Sequence, residues 1–427
     1  MHKTNTGSMV LATASQAPRG EFLSKRARAL KVSPTIAMSQ RAGEMRADGI
    51  DVVNLSVGEP DTPTPMRIVD AAHEAAKKGH TRYTAPDGHQ RVKQAVQTKL
   101  LRDNKLAYDL NQIGVVSGCK QAIFNALAAT IDVGDEVVLI APYWVSYADM
   151  VTYHGGTPVV VTAKQEDGFL PDIRDIAAAL TPRTKWVLLN SPNNPTGAVY
   201  PCALLRQIGD LLAQHPDVMV LSDEIYEHLT YDGAEFVSFA SALPDLKDRI
   251  LLVNGASKAY SMTGWRVGFA AGPAWLIGAM ARVQSQAAGS SNMIAQFAAV
   301  EAMEGDQSDL QVNRQVLKRR RDTAIQILSK CTRLGVCPLG GAFYIFADIH
   351  KCLGLSTADG RVIKTDSQMS DFLLDQAHVA TVPGVEFGCS PYIRLSFAVD
   401  DDDLTRACNA IVAACNSLKL PDGADQI

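Results

Sequence analysis

Between about residues 110 and 300 the chain alternates short apolar, β-branched runs with stretches of helical periodicity. The runs fall at 113–116, 136–140, 158–162, 186–189, 218–221, 250–253 and 267–271. They are almost continuously hydrophobic, as strands are when both faces of their sheet are covered. Between them, Ile123, Ala126, Leu127 and Ile131 share one helical face, as do Leu204, Leu205, Ile208, Leu211 and Leu212. This alternation predicts an α/β domain built on a mostly parallel sheet.

After residue 310 the pattern changes. It predicts a long charged helix over 311–330, a strand at 342–347, a polar loop near 356–366, a helix at 367–376, a strand at 392–397 and a closing helix at 401–418. Asp400 to Asp403 put negative charge at the start of that last helix, where the peptide dipoles favour it. This reads as a smaller α+β unit. The expected division is a tail over 1–24, a segment over 25–60 packing with the small domain, a large domain over 61–310 and a small domain over 311–427. The basic run Lys318-Arg319-Arg320-Arg321 lies within the 311–330 helix and reads as a solvated face.

Composition excludes several classes. Hydrophobic content of 47% with 20% charge excludes a disordered or fibrous chain. Forty-one Lys and Arg against 45 Asp and Glu give a net charge of −4, so no basic field draws in nucleic acid. No apolar run approaches the roughly 18 residues of a membrane helix. The eight cysteines form no Cys-x-x-Cys pair and read as reduced thiols. Residues 1–19 lack the apolar core of a secretory signal. A cytoplasmic location is therefore expected. The nine histidines include no His-Glu-x-x-His pattern, and no metal is expected.

Ligands of open α/β sheets lie beyond the carboxyl ends of the strands. Five such ends carry polar or aromatic groups: Ser117-Gly118-Cys119-Lys120-Gln121, Ala141-Pro142-Tyr143-Trp144, Asn190 through Gly197, Ser222-Asp223-Glu224-Ile225-Tyr226, and Gly255-Ala256-Ser257-Lys258. No Walker loop, Gly-x-Gly-x-x-Gly or Gly-x-Ser-x-Gly is present. What remains is a lysine, an aspartate, a phosphate-type cradle and an aromatic residue sharing one crevice. A pyridoxal-phosphate site needs such parts: an amine for a Schiff base, an acid opposite the ring nitrogen, and an anion site.

The run Gly255-Ala256-Ser257-Lys258-Ala259-Tyr260-Ser261-Met262-Thr263-Gly264-Trp265-Arg266-Val267-Gly268 resembles the cofactor-lysine signature of class I aminotransferases. Asn190 through Gly197, Ser222 through Tyr226 and Tyr392-Ile393-Arg394-Leu395-Ser396 match the same family in order and spacing, as do Gly58-Glu59-Pro60 and Tyr83-Thr84-Ala85-Pro86-Asp87-Gly88. The similarity spans about residues 25 to 418. It is strongest to the bacterial-type aspartate aminotransferases, which include prephenate-using members.

The resemblance implies a fold-type I transferase with pyridoxal 5′-phosphate as cofactor. It makes Lys258 the covalent anchor and proton carrier, and Asp223 the partner of the ring nitrogen. Tyr226 and Asn194 would bond the phenolic oxygen, and Trp144 would stack on the ring. Backbone N–H groups of Gly118 and Cys119, with Ser257 and Arg266, would hold the phosphate. The family more often has Gly than Cys at position 119, and the added β-carbon enters a tight space. Arg394 would grip the substrate α-carboxylate with help from Asn194 and Gly58. Lys120, supported by Thr35, would meet a distal carboxylate, and Ser290 and Ser291 would contribute from another subunit. Tyr83 would reach the phosphate of a neighbouring subunit, which implies a homodimer.

The expected reaction is transamination of aspartate with 2-oxoglutarate. The competing readings are prephenate or aromatic amino acid transamination, a carbon–sulfur lyase, and a non-catalytic sensor or assembly protein.

Overall fold

The computed structural model describes residues 22–32, 34–337 and 340–420. Most of the tail expected over 1–24 therefore lies outside the described residues. The strands in chain order are β1 (Val53–Asn54), β2 (Ile113–Val116), β3 (Glu136–Ala141), β4 (Thr157–Thr162), β5 (Thr184–Asn190), β6 (Met219–Asp223), β7 (Ile250–Asn254), β8 (Gly268–Ala271), β9 (Tyr344–Asp348), β10 (Val379–Ala380), β11 (Val382–Pro383) and β12 (Tyr392–Ser396).

All seven runs expected between 110 and 300 are strands of one seven-stranded sheet, in the order β2-β8-β7-β6-β5-β3-β4. Only β8 is antiparallel to its neighbours, β7 and β2. The continuous hydrophobicity has its structural counterpart on the two faces. Val138 and Ile140 of β3 join a core with Val187, Leu189, Val220 and Leu252. Their neighbours Val137 and Leu139 join a second core with Leu188, Leu221, Leu251 and Val253. Helices Gln90–Asn104, Cys202–Ala213 and Met293–Glu304 bury apolar stripes against the first face. Helices Cys119–Thr130 and Ala274–Ala287 cover the second.

Two smaller sheets use the strands after residue 340 together with β1. One is the antiparallel set β11-β12-β9, and the other joins β1 to β10 in parallel. Short β1, β10 and β11 carry too few residues for a periodic signal. The strand expected at 342–347 is Tyr344–Asp348, because Ala342 takes a left-handed conformation (φ 54°). There its N–H donates to Leu229 and its carbonyl accepts from the Tyr231 hydroxyl.

The basic run is not a solvated face. Four consecutive helical residues span about 300° of the circumference, so they cannot share one side. Arg320 and Arg321 are buried in helix Ser308–Leu328. Arg320 holds both oxygens of Asp61 (2.7 and 2.9 Å) and one of Asp401 (2.6 Å). Arg321 pairs with Asp232 and Asp322. The run clasps the loop after β1 and helix Asp401–Ser417 to one central helix. The acids at the start of that last helix fall as expected: Asp400 caps it through Asp402 N–H at 2.9 Å.

Candidate active site

The carboxyl ends of β2, β3, β5, β6 and β7 open onto one cavity of about 350 Å³, within the size range of small-molecule sites. Its walls include Thr35, Gly58, Cys119, Lys120, Trp144, Asn194, Asp223, Tyr226, Ser257, Lys258, Arg266 and Arg394. Residues more than 350 positions apart in the chain thus meet in one place.

Asp223, the last residue of β6, is 4% exposed. The Tyr147 hydroxyl donates to its Oδ2 at 2.7 Å, and the Ile225 N–H donates to Oδ1 at 3.3 Å. Burial dominates over these donors and pushes the carboxyl up to about 6. A carboxylate so placed is stabilised further by a cation in the cavity. Lys258 follows β7, and its Nζ donates to the Gly58 carbonyl at 2.5 Å. Desolvation, aided by the positive charges of Arg394 and Arg266, lowers its amine to about 8. Such an amine is a neutral nucleophile and base to a useful extent near neutral pH.

The loop from Asn190 is fixed by its first residue. Asn190 Nδ2 donates to the Asp223 carbonyl (2.9 Å) and its Oδ1 accepts from Asn194 N–H (2.8 Å). Asn194 in turn accepts from Arg394 Nη1 at 3.0 Å. Arg394, on β12, is 2% exposed. Its Nη2 donates to the Ser56 carbonyl, while its Nε has no partner. The guanidinium lies 4.5 Å from the Tyr344 ring centroid and 5.1 Å from that of Phe387. No carboxylate among the described residues pairs with it. A buried cation without a counter-ion is costly, and burial lowers its proton affinity. An entering carboxylate relieves that cost.

Helix Cys119–Thr130 aims its N-terminus at the cavity. The structure alters one expectation here. The Gly118 N–H donates to the Val116 carbonyl (2.8 Å), so the donors left open are those of Cys119 and Lys120. Gly118 serves instead by conformation: its φ is +88°, and a Cβ there would lie 2.6 Å from Arg266 Nη2. Arg266 is held by its Nη1 bond to the Thr263 carbonyl at 2.8 Å. Cys119 contributes its backbone. Desolvation pushes its thiol far above the normal range, which disfavours the thiolate.

At the cavity mouth Lys120 Nζ lies 4.8 Å from the Trp144 ring centroid. Its side chain reaches solvent, and partial desolvation by its neighbours together with the nearby Arg266 lowers its proton affinity. Trp144 stands edge-to-face on Tyr147 at 5.4 Å.

Four expected residues are elsewhere or differently engaged. Tyr83 is 96% exposed and outside this chain's cavity wall. Ser290 and Ser291 are also outside it. Tyr226 lines the cavity, but its hydroxyl bonds the Tyr344 hydroxyl at 2.8 Å. Sequence reasoning missed Tyr147, Tyr344 and Asn190 as individual contributors. Tyr147 could have been found from its place three residues after Trp144, in the first turn of helix Ser146–Tyr153. Tyr344 sits inside an apolar strand that offers no such signal.

The arrangement defines a class. A helix N-terminus with Ser257 and Arg266 suits a phosphate. A buried acid and a lysine amine lining one cavity suit a pyridine ring bearing an aldehyde, and the guanidinium, which has no carboxylate partner among the described residues, suits a carboxylate. Pyridoxal phosphate fits this cavity on each count. The model of the aminotransferase class I and II family matches residues 50–411, and the chain belongs to that family of pyridoxal-phosphate enzymes.

The aspartate/prephenate aminotransferase of Cereibacter sphaeroides is 46% identical over 398 residues, covering 93% of this chain and 99% of that one. An aspartate aminotransferase of Rhizobium meliloti is 45% identical over 387 residues, covering 91% and 94%. Among solved structures, the aspartate aminotransferase of Rhizobium meliloti superposes with a TM-score of 0.90 at 44% identity, covering 93% of this chain and 99% of that chain. The Thermus thermophilus enzyme solved with maleate gives 0.86 at 39% identity, covering 92% and 99%.

Proposed function

We propose that this chain transfers the amino group of aspartate to 2-oxoglutarate, giving oxaloacetate and glutamate. The observation that carries the reading is Arg394, a buried guanidinium with an unpartnered Nε, in one cavity with Asp223 and Lys258. The names of the relatives support aspartate as the donor.

The cofactor supplies an aldehyde that exchanges amines and a protonated ring that accepts the electron pair released at Cα. The protein's residues do the rest. Asp223 holds the proton on the ring nitrogen. Arg394, steadied by Asn194 and Ser56, binds the α-carboxylate by two parallel bonds and so orients Cα. Lys258 takes the proton from Cα. Lys120, with Thr35, meets the distal carboxylate, as suits a site related to one solved with maleate. Amino and keto acids share Arg394, so they alternate in a ping-pong cycle.

A second reading, prephenate as an acceptor on the same scaffold, is favoured by the relatives named aspartate/prephenate aminotransferase. Lys120 beside the Trp144 ring suits a carboxylate carried on a ring. An amino-donor panel with 2-oxoglutarate, oxaloacetate and prephenate as acceptors tests both. Oxaloacetate formed from aspartate supports the first reading; no oxaloacetate from aspartate, with thiol, ammonia and pyruvate released from a cysteine-type donor instead, defeats it.

The same reading includes a homodimer in the cytoplasm. The exposed Tyr83, unused by its own cavity, supports the dimer, and eight free cysteines support a reducing compartment. It also includes a large domain over 61–310 and a small one over 311–427, with 25–60 joined to the latter.

A further inference from the structure

The Tyr344 hydroxyl stands at a junction of three groups. It bonds the Tyr226 hydroxyl at 2.8 Å. It lies 2.4 Å from where a Cβ on residue 58 would be, so only glycine fits beside it; Gly58 carries the carbonyl that holds Lys258. Its ring lies beneath the Arg394 guanidinium at 4.5 Å. Tyr226 and Tyr344 are both buried.

We propose that Tyr344 is a positioning residue: its hydroxyl donates to Tyr226 and sets how strongly Tyr226 donates to the phenolic oxygen of the bound cofactor, while its ring seats Arg394. The inference rests on the cofactor reading above.

In the pair by itself either hydroxyl can donate. A cofactor oxygen beside Tyr226 fixes the order. The Tyr226 proton goes to that oxygen, and the Tyr226 oxygen then accepts from Tyr344. No other acceptor for the Tyr344 hydroxyl is found among the described residues. Hydrogen bonds in such a chain polarise one another, so the second strengthens the first. A stronger donor favours the ionised form of the oxygen it meets.

The charged and titratable groups around the pair are Arg394 on β12, Asp223 on β6, Tyr147 on helix Ser146–Tyr153, and Lys258 after β7. Arg394 favours ionisation of both tyrosines and Asp223 opposes that of Tyr226. All four remain in place when only the Tyr344 oxygen is removed.

The test is an absorbance titration of the holoenzyme for wild type, Tyr344→Phe, Tyr226→Phe and the double variant, with thermal denaturation as the folding control. Tyr344→Phe is expected to move the midpoint of the bound cofactor's titration up by roughly 0.5 pH, the size of one neutral hydrogen bond. In the Tyr226→Phe background the same change is expected to have no effect. The KM for aspartate is expected to be roughly fivefold higher in Tyr344→Leu, which loses the ring under Arg394, than in Tyr344→Phe, which keeps it; equal values overturn the seating of Arg394. An unshifted midpoint in Tyr344→Phe, or a full shift without Tyr226, overturns the relay. Wild type that takes up no cofactor overturns the functional reading and the relay with it. Wild type that does, beside an unshifted Tyr344→Phe, overturns the relay alone.

Discussion

The Tyr147 hydroxyl donates a 2.7 Å hydrogen bond to Oδ2 of Asp223, and both groups are buried. This bond favours the ionised carboxylate, yet burial outweighs it and sets the folded-state value at about 6 against an ordinary 3.8. The carboxyl therefore binds its proton more tightly folded than unfolded. Its contribution to stability is favourable at low pH and is lost as the pH rises through about 6.

Asp223→Asn removes that titration. In the cofactor-free state the variant is predicted to be more stable than wild type at pH 8, by about 3 kcal/mol. The gap closes below about pH 4. Denaturant unfolding at the two pH values measures it, and a variant less stable at pH 8 contradicts the assignment. Turnover of the loaded variant is predicted to fall by several orders of magnitude, because the ring nitrogen loses its acid partner.

Replacing Arg394 tests the carboxylate site. Arg394→Leu is predicted to lower kcat/KM on the order of a hundredfold for the amino acid and the keto acid alike. Steady-state kinetics with both substrates decides. A loss confined to one of them contradicts a shared α-carboxylate site.

Gly58→Ala places a methyl group 2.4 Å from the Tyr344 hydroxyl oxygen, which is closer than contact allows. The variant is predicted to bind pyridoxal phosphate roughly tenfold more weakly, through displacement of the Lys258 seat. Adding Tyr344→Phe removes the clashing oxygen and recovers part of the loss. Equilibrium titration with the cofactor reads both variants, and an unaffected single variant contradicts the crowding.

The Arg320 clasp predicts non-additive stability. Asp61→Ala and Asp401→Ala each leave the 7% exposed guanidinium one carboxylate. The double variant leaves none, and its loss is predicted to reach about 3–5 kcal/mol, more than the sum of the single losses. Urea unfolding of the four proteins measures the coupling, and strict additivity contradicts it.

The sequence was most legible where chain position alone decides geometry. The seven strands of the large sheet were readable because both faces are covered and the signal is continuous. That Asp223, Lys258 and Asn194 meet in one cavity was readable because strand ends converge in this kind of sheet. Legibility failed where the partner is distant in the chain. Nothing local says that Arg320 meets Asp61 and Asp401, or that Tyr344 rises between Gly58 and Tyr226. Gly118 was misjudged in a smaller way. Its spacing marked the helix start, but its own N–H turns back to Val116 and hands the donor role to the next two residues.

The central claim is that Lys258 is the amine bonded to the cofactor, and reductive trapping tests it most directly. The protein is loaded with pyridoxal phosphate, reduced with borohydride, digested and mapped by mass spectrometry. The account predicts one phosphopyridoxyl group per chain, on Lys258. A group on Lys120 or another lysine in its place, or none at all, contradicts it.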